Sequence, residues 1–369
     1  MKALLLGDLS PTIVTDPLFA QKDTDTLFTD VVTLFEGNDV NFVNLECALT
    51  ESERTIEKFG PPLKASRNTA ATLKEIGVNI CGLSNNHIFD FGRIGALDTI
   101  QTLEREGIAY TGFGSNYEDS RNNFIHTAGG EKLAIIAVCE HEYSYALENR
   151  MGSRPYDEYD TMEDIRAAKD ICDRVVVIYH GGKEHCHYPS PRLHRLCHAM
   201  VRNGADVVIC QHSHCIGSYE NYRGGHILYG QGNFHFVNPS FLTPELTATW
   251  NSSLAVKYNT TDNTIEFIPI VNTACGITLA KGAEKEQLMK AFAERNQALT
   301  DETWKEGWHE FCESMREWYE SVIGNACTEN SDEEQNKLFG HYLDCEAHTD
   351  VWRELFPTAN QTNETFHQL

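Results

Sequence analysis

The chain has no run of apolar residues approaching the ~18 that cross a bilayer. Its first apolar stretch, residues 3–6, is too short for the core of a secretion signal, and no small-residue cleavage site follows it. The expectation is therefore a cytoplasmic protein without a membrane span. No two of its 12 cysteines form a C-x-x-C pair, so zinc-finger and thioredoxin-type chemistry have no support. In a reducing compartment the cysteines are expected as thiols, most of them small buried hydrophobes. No fixed period suggests repeats, and no low-complexity run is present. Positive charge is scarce: 30 Lys and Arg stand against 54 Asp and Glu, for a net charge of −24. Such a chain repels nucleic acid and anionic membranes and attracts cations.

What is present is a sequence of 369 residues, 41% hydrophobic and 10% aromatic. That composition excludes global disorder, and that length buries a core without help from disulfides or metals. Residues 3–6, 40–45, 78–83, 133–138, 175–179 and 206–210 read as strands. They alternate with helical patterns at 25–36, 68–76, 96–106, 162–171 and 191–201. After residue 215 the texture changes to antiparallel strands at 218–222, 225–229, 254–258 and 264–270. The fold class expected is α/β, with two β layers and outer helices.

From about residue 273 the pattern becomes helical, at 281–298, 301–322 and 331–356. The expected organisation is an α/β domain over 1–272 and an acidic helical extension over 273–369. From Lys281 onward the chain carries 19 acidic against 8 basic side chains. Such a surface is either simply solvated or a docking face for a protein partner or a second copy.

The chemistry sits just past the strand ends. Asp8 ends the first strand, Asn44-Leu45-Glu46 the second, and Ser84-Asn85-Asn86-His87 follows the third. His180-Gly181-Gly182 and His212-Ser213-His214 follow two later strands. In open α/β sheets the C-terminal strand edge is where ligands bind. Carboxylates, an amide oxygen and imidazoles converging there suit Mn, Fe or Zn better than calcium or a thiolate site.

The ordered set Gly7-Asp8, Asn44-Leu45-Glu46, Asn85-Asn86-His87-Ile88-Phe89-Asp90-Phe91-Gly92, His180-Gly181-Gly182-Lys183-Glu184, His212-Ser213-His214 and Gly232-Asn233-Phe234 resembles the CapA family. These are capsule or poly-γ-glutamate synthesis proteins, related in fold to calcineurin-like metallophosphoesterases. The resemblance spans about residues 1–272. It implies a four-layer α/β/β/α fold with one or two divalent metals at one edge. Position by position, it implies Asp8, Glu46 and His214 as ligands of one metal. Glu46, Asn86, His180 and His212 would hold the other, with Glu46 bridging. His87 matches the family histidine beside the metals, a general acid or transition-state contact, and Asp90 would orient it. Asn44, Asn85, Lys64, Glu184 and Asn233 fall at positions of substrate or supporting contacts. Lys64 would pair with an anionic substrate group, and Asn233 would orient a loop at the metal edge.

The sequence also departs from the pattern. The first motif reads Asp8-Leu9-Ser10 where metallophosphoesterases carry Asp-x-His, so one imidazole is missing; His185 or His187 is a candidate replacement. Glu46 stands where an Asp is usual. Gly181 replaces a tryptophan, which is expected to open space. The function expected is a metal-dependent hydrolase of an anionic small-molecule or polymer substrate. It would cleave a phosphoester or a γ-glutamyl or amide bond in capsule, polyglutamate or cell-envelope polysaccharide metabolism. The alternative is a non-catalytic accessory subunit with a structural or vestigial metal site.

Overall fold

The structure, a computed structural model, describes residues 1–140, 143–326, 328–329 and 331–357. Two large sheets form its centre. The first orders its strands as Ile277–Leu279, Thr264–Asn272, Ser252–Asn259, Lys2–Leu9, Val40–Leu45, Ile80–Gly82 and Ala109–Thr111, with Asn233–His235 also pairing with Lys2–Leu9. The second runs Tyr219–Tyr222, Gly225–Leu228, Val207–Gln211, Arg174–His180, Glu131–Cys139 and Phe124–Ala128.

The central strands are apolar along their whole length because both of their faces are covered. Ala3, Leu5, Val40 and Phe42 of the first sheet share one core with Ile135, Val176, Ile178 and Ile209 of the second. The alternate residues point outward. Leu4, Leu6 and Val43 pack on Leu73, Ala96 and Leu103 of one helical layer. Val175, Val177 and Tyr179 pack on Ile165, Leu193 and Met200 of the other. The α/β/β/α layering follows directly from this alternation.

Several expectations need correction. The 25–36 segment is not one α-helix but a short helix, Thr24–Phe28, followed by a 3-10 turn, Thr29–Phe35. Thr29 between them has φ +40°, which an α-helix cannot continue through. Gly225–Leu228 is antiparallel to Tyr219–Tyr222 but parallel to Val207–Gln211. A hairpin strand, Phe124–Ala128, and a helix, Pro244–Trp250, appear where none was read. The hairpin turns at Gly129-Gly130, both at positive φ.

The first sheet runs past residue 272, and the helical part of the chain begins at Gly282. The Gly282–Thr300 helix packs on the main body, with Phe292 in the core between the sheets. The 301–322 and 331–356 patterns each break into two helices, Trp304–Ser314 with Arg316–Ala326 and Glu333–Asp344 with Glu346–Leu355. Cys345, at ψ +123°, makes the second break. These four helices enclose a small core of their own, around Trp308, Tyr319, Tyr342 and Val351. Cys186, from the loop after the Arg174–His180 strand, is embedded in it. Among the described residues no helix is long and apolar enough to cross a membrane, and Cys47, Cys81, Cys172, Cys186, Cys197, Cys210, Cys215, Cys275 and Cys312 are free thiols.

Candidate metal centre

The C-terminal strand ends of both sheets meet at one place. Asp8 lies opposite Asn44 on one side and Asn233 on the other. Gly7 permits this pairing, because a Cβ there would stand 2.1 Å from the Gly232 carbonyl oxygen. The Asn44 amide donates to Asp8 Oδ1 at 2.7 Å and lies 3.1 Å from His180 Nδ1, tying the two sheets together. The His212 backbone N–H donates to Asp8 Oδ2 at 2.9 Å. His180 Nε2 lies 2.8 Å from Asn86 Oδ1 and 3.4 Å from Glu46 Oε1. His214 Nδ1 is 2.8 Å from Asn233 Oδ1 and 3.6 Å from Asp8 Oδ2. Asn85 stabilises the turn that carries Asn86 and His87. Its Oδ1 accepts from the backbone N–H of His87 and Ile88, and its amide donates to Asn44 Oδ1.

His212 and His214 adopt φ +77° and +54°. That left-handed backbone is costly for side chains of this type and is found where a site requires it. Their imidazoles and the Glu46 carboxylate bring ligand atoms within 4.8 Å of one another.

Glu46 is fully buried, yet neither carboxylate oxygen has a hydrogen-bond partner, and the buried Nδ1 of His212 has none either. A carboxylate in that position costs several kcal/mol unless a cation compensates it. A buried carboxylate that accepts no hydrogen bond, with two imidazoles offering ligand atoms within 4.8 Å, fits a divalent metal. Asp8, Asn86 and His180 adjoin the Glu46, His212 and His214 group and are hydrogen-bonded to their neighbours.

Electrostatics follow the same geometry. Burial opposes the Asp8 charge, but the hydrogen bond and charge of His180, with His214 and Asn44, hold its carboxyl at about 2. Burial likewise opposes a charged His180, but Glu46 and Asp8 raise it to about 9. Burial and the neighbouring His180 push His212 well below the ordinary histidine range.

A cavity of ≈ 300 Å³ opens above this edge, with Asn86, His87, His212 and His214 in its floor. His87 Nδ1 is 2.7 Å from Asp90 Oδ2, which leaves Nε2 for the cavity. Burial opposes the Asp90 charge as well, but His87 and Lys58 hold its carboxyl below the usual range. Lys58 Nζ sits 2.6 Å from Asp90 Oδ1 and 3.2 Å from His87 Nδ1.

Lys58 and Lys183, neither singled out from sequence for an anionic ligand, both line the cavity, with side chains only 5% and 8% exposed. Lys64 does not line it; its ammonium pairs with Glu53 at 2.6 Å, a residue 86% exposed. Glu184 and His185 line the wall, and burial lowers His185 to about 4. His187 turns away to the Ile216 carbonyl at 2.8 Å. Gly181 opens no space, since a Cβ there would stand 2.5 Å from Glu140 Cβ and Oε2. Trp250, its ring tilted against that of His214 with centroids 4.4 Å apart, supplies an apolar wall instead.

The last two of the four C-terminal helices roof the cavity, through His341, Cys345, Ala347 and His348. His348 is held by the Tyr319 hydroxyl at 2.6 Å and stacks on Tyr342 at 3.7 Å. His341 stacks on Phe59, next to Lys58, at 5.6 Å. A buried polar latch fastens the roof to the floor. Asp350 accepts from Ser190 at 2.6 Å and from Arg192 at 2.8 Å. Arg192 also pairs with Glu140, and Glu140 accepts from the Tyr179 hydroxyl at 2.7 Å and the Gly182 N–H at 2.9 Å. Sequence reasoning found the floor but not the roof. The only sign was that cavity-facing His341 and His348 sit in an otherwise acidic helical segment.

Comparison with known proteins supplies a family. The model described as "Bacterial capsule synthesis protein PGA_cap" matches residues 2–238. A relative from Bacillus anthracis, "Capsule biosynthesis protein CapA", is 29% identical over 276 residues, 72% of this chain and 66% of the relative. A "Probable polyglutamine synthesis accessory protein" from Mycobacterium tuberculosis is 27% identical over 211 residues, 53% of this chain and 55% of the relative. The chain thus spans less than two thirds of the length of these relatives. Among solved structures, a putative 5'-nucleotidase from Staphylococcus aureus aligns with a TM-score of 0.44 and 12% identity, covering 80% of this chain and 58% of that one.

Proposed function

The chain belongs to the PGA_cap family of bacterial capsule synthesis proteins, and from that premise and the geometry of the sheet edge we propose a metal-dependent hydrolase. Its substrate would be a phosphoester or a γ-glutamyl or other amide in capsule, polyglutamate or cell-envelope polysaccharide metabolism. The observation that carries this reading is the fully buried Glu46 carboxylate, which accepts no hydrogen bond and lies beside the imidazoles of His212, His214 and His180. One or two Mn, Fe or Zn ions held by Glu46, His212 and His214, with Asp8, Asn86 and His180 alongside, would supply Lewis acidity and a water of lowered pKa.

The chain's own residues do the rest. Asp90 pins His87 at Nδ1, so that Nε2 can deliver a proton to the leaving group. Asn233 fixes the ring of His214, and Asn44 fixes Asp8 against His180. Lys58 and Lys183 present two positive charges to an anionic substrate, and the roof keeps bulk water from the reacting bond. A cavity of ≈ 300 Å³ suits a small molecule or the end of a polymer better than its middle.

The test is elemental analysis of the purified chain, together with a hydrolase panel of phosphoesters and γ-glutamyl peptides. We expect bound Mn, Fe or Zn and turnover that falls about 100-fold or more in His87→Ala. Absence of bound metal in protein purified without chelator would overturn the reading. The accessory role in the name of the Mycobacterium relative, together with the missing first-motif imidazole, favours one second reading: a non-catalytic partner in a polymer-synthesis complex. A chain that binds metal and sustains its cellular role with His87→Ala would support that alternative.

A further inference from the structure

Outside the cavity, on the outer face of the second sheet, a second group of ligand-type side chains converges. We propose that His194, His198 and Glu220 form a separate binding site for a zinc-class divalent cation, one that fastens the Pro191–Arg202 helix to the edge strand Tyr219–Tyr222.

His194 and His198 are four residues apart on that helix and so share one face. Both aim Nε2 at the same atom, Glu220 Oε1, at 3.3 and 2.8 Å. The Tyr229 hydroxyl donates to that same oxygen at 2.7 Å. A carboxylate oxygen has two lone pairs, and three donors crowd it. A cation shared by the two Nε2 atoms and Oε1 relieves the crowding and leaves Tyr229 as an outer hydrogen bond to the carboxylate. Tetrahedral zinc with ligands at 2.0–2.1 Å sets neighbouring ligand atoms about 3.3 Å apart. The two nitrogen–oxygen separations lie within about half an ångström of that value, and all three ligand atoms lie within 4.8 Å of one another.

The rings are already held in place. His198 stacks on Tyr222 with centroids 3.6 Å apart, and His194 stacks on Trp304 at 4.8 Å. Two imidazoles and one carboxylate match zinc and its borderline neighbours and do not match calcium or magnesium. The three side chains are 16% to 22% exposed, which leaves an entry path and room for a water as fourth ligand. Trp304 is the first residue of the roof helices, so an ion at this point would brace the junction between body and roof.

The test uses the full chain with the sheet-edge site disabled by Glu46→Gln and His212→Ala, dialysed against micromolar zinc and then measured by elemental analysis. We expect about one zinc per chain, lost when Glu220→Gln or His198→Gln is added. Zinc content that does not change with either addition overturns the proposal. Should those variants fail to fold by circular dichroism, crystals of the unaltered chain equilibrated with micromolar zinc decide the matter. An anomalous peak at the zinc edge between the three side chains supports the site, and no peak there overturns it.

Discussion

The floor and the roof of the cavity are built on opposite principles. Floor residues are attached one by one to strand ends, and several are held by a short hydrogen bond from a neighbouring strand end, as Asn44 holds Asp8 and Asn233 holds His214. The roof residues His341 and His348 are attached to helices that close on their own aromatic core, and the whole unit is fastened to the floor by the Asp350, Arg192 and Glu140 latch. The floor is rigid because the sheets are rigid. The roof is held by one buried ion network together with the contacts of Cys186 and Phe59. Under the proposed function, such a site would separate the chemistry from control of what reaches it.

The sharpest way to break the comparison is Arg192→Ala, which leaves Glu140 and Asp350 buried without their cation. We expect a loss of about 3–5 kcal/mol in denaturant unfolding. Faster amide exchange should be confined to the Glu333–Asp344 and Glu346–Leu355 helices, with the strands unchanged. Equal acceleration in the Arg174–His180 strand would mean that floor and roof are one unit.

Next in size is Asp90→Asn, which weakens the support of Lys58 and His87 and should cost roughly 2–3 kcal/mol at neutral pH. The folded carboxyl of Asp90 titrates below its unfolded value. The difference between the two proteins is therefore fully present above about pH 4, and it shrinks as pH falls from there through the folded value. A difference that grows on acidification would contradict the assignment.

Lys183→Met should weaken binding of inorganic phosphate to the metal-loaded protein by about tenfold, equivalent to ~1.4 kcal/mol, in calorimetric titration. The metal content should not change. The smallest effect belongs to Lys64→Ala. Its exposed pair with Glu53 is worth under ~1 kcal/mol, and phosphate binding should stay as it is.

Legibility in the sequence followed the same division. Asp8, Glu46, Asn86, His180, His212 and His214 were readable because each lies at the end of an apolar run, where the strand's own direction says which edge it reaches. The layered fold was readable because uninterrupted runs such as residues 175–179 require cover on both faces. Lys58 and Lys183 were not, since a lysine in a loop carries no periodic signal, and Lys64 was singled out only by its place in the family pattern. The roof helices were recognisable from their pattern, but not their destination. The latch joins residues 158 apart, and no local spacing encodes that distance. The orientation of His87 by Asp90, three residues on, came from the family resemblance, and the structure places the two in contact.

The placement of the roof after the sheets also has a meaning in time. Every residue of the floor, and the last strand that completes the first sheet at Leu279, leaves the ribosome before the roof helices end at Leu355. At ordinary synthesis rates the intervening stretch of roughly 75 residues takes about 4–15 s. For that interval the sheet edge faces the surrounding solution uncovered, so the chain's birth includes a window in which a cation can be taken up before the lid that will screen the site exists.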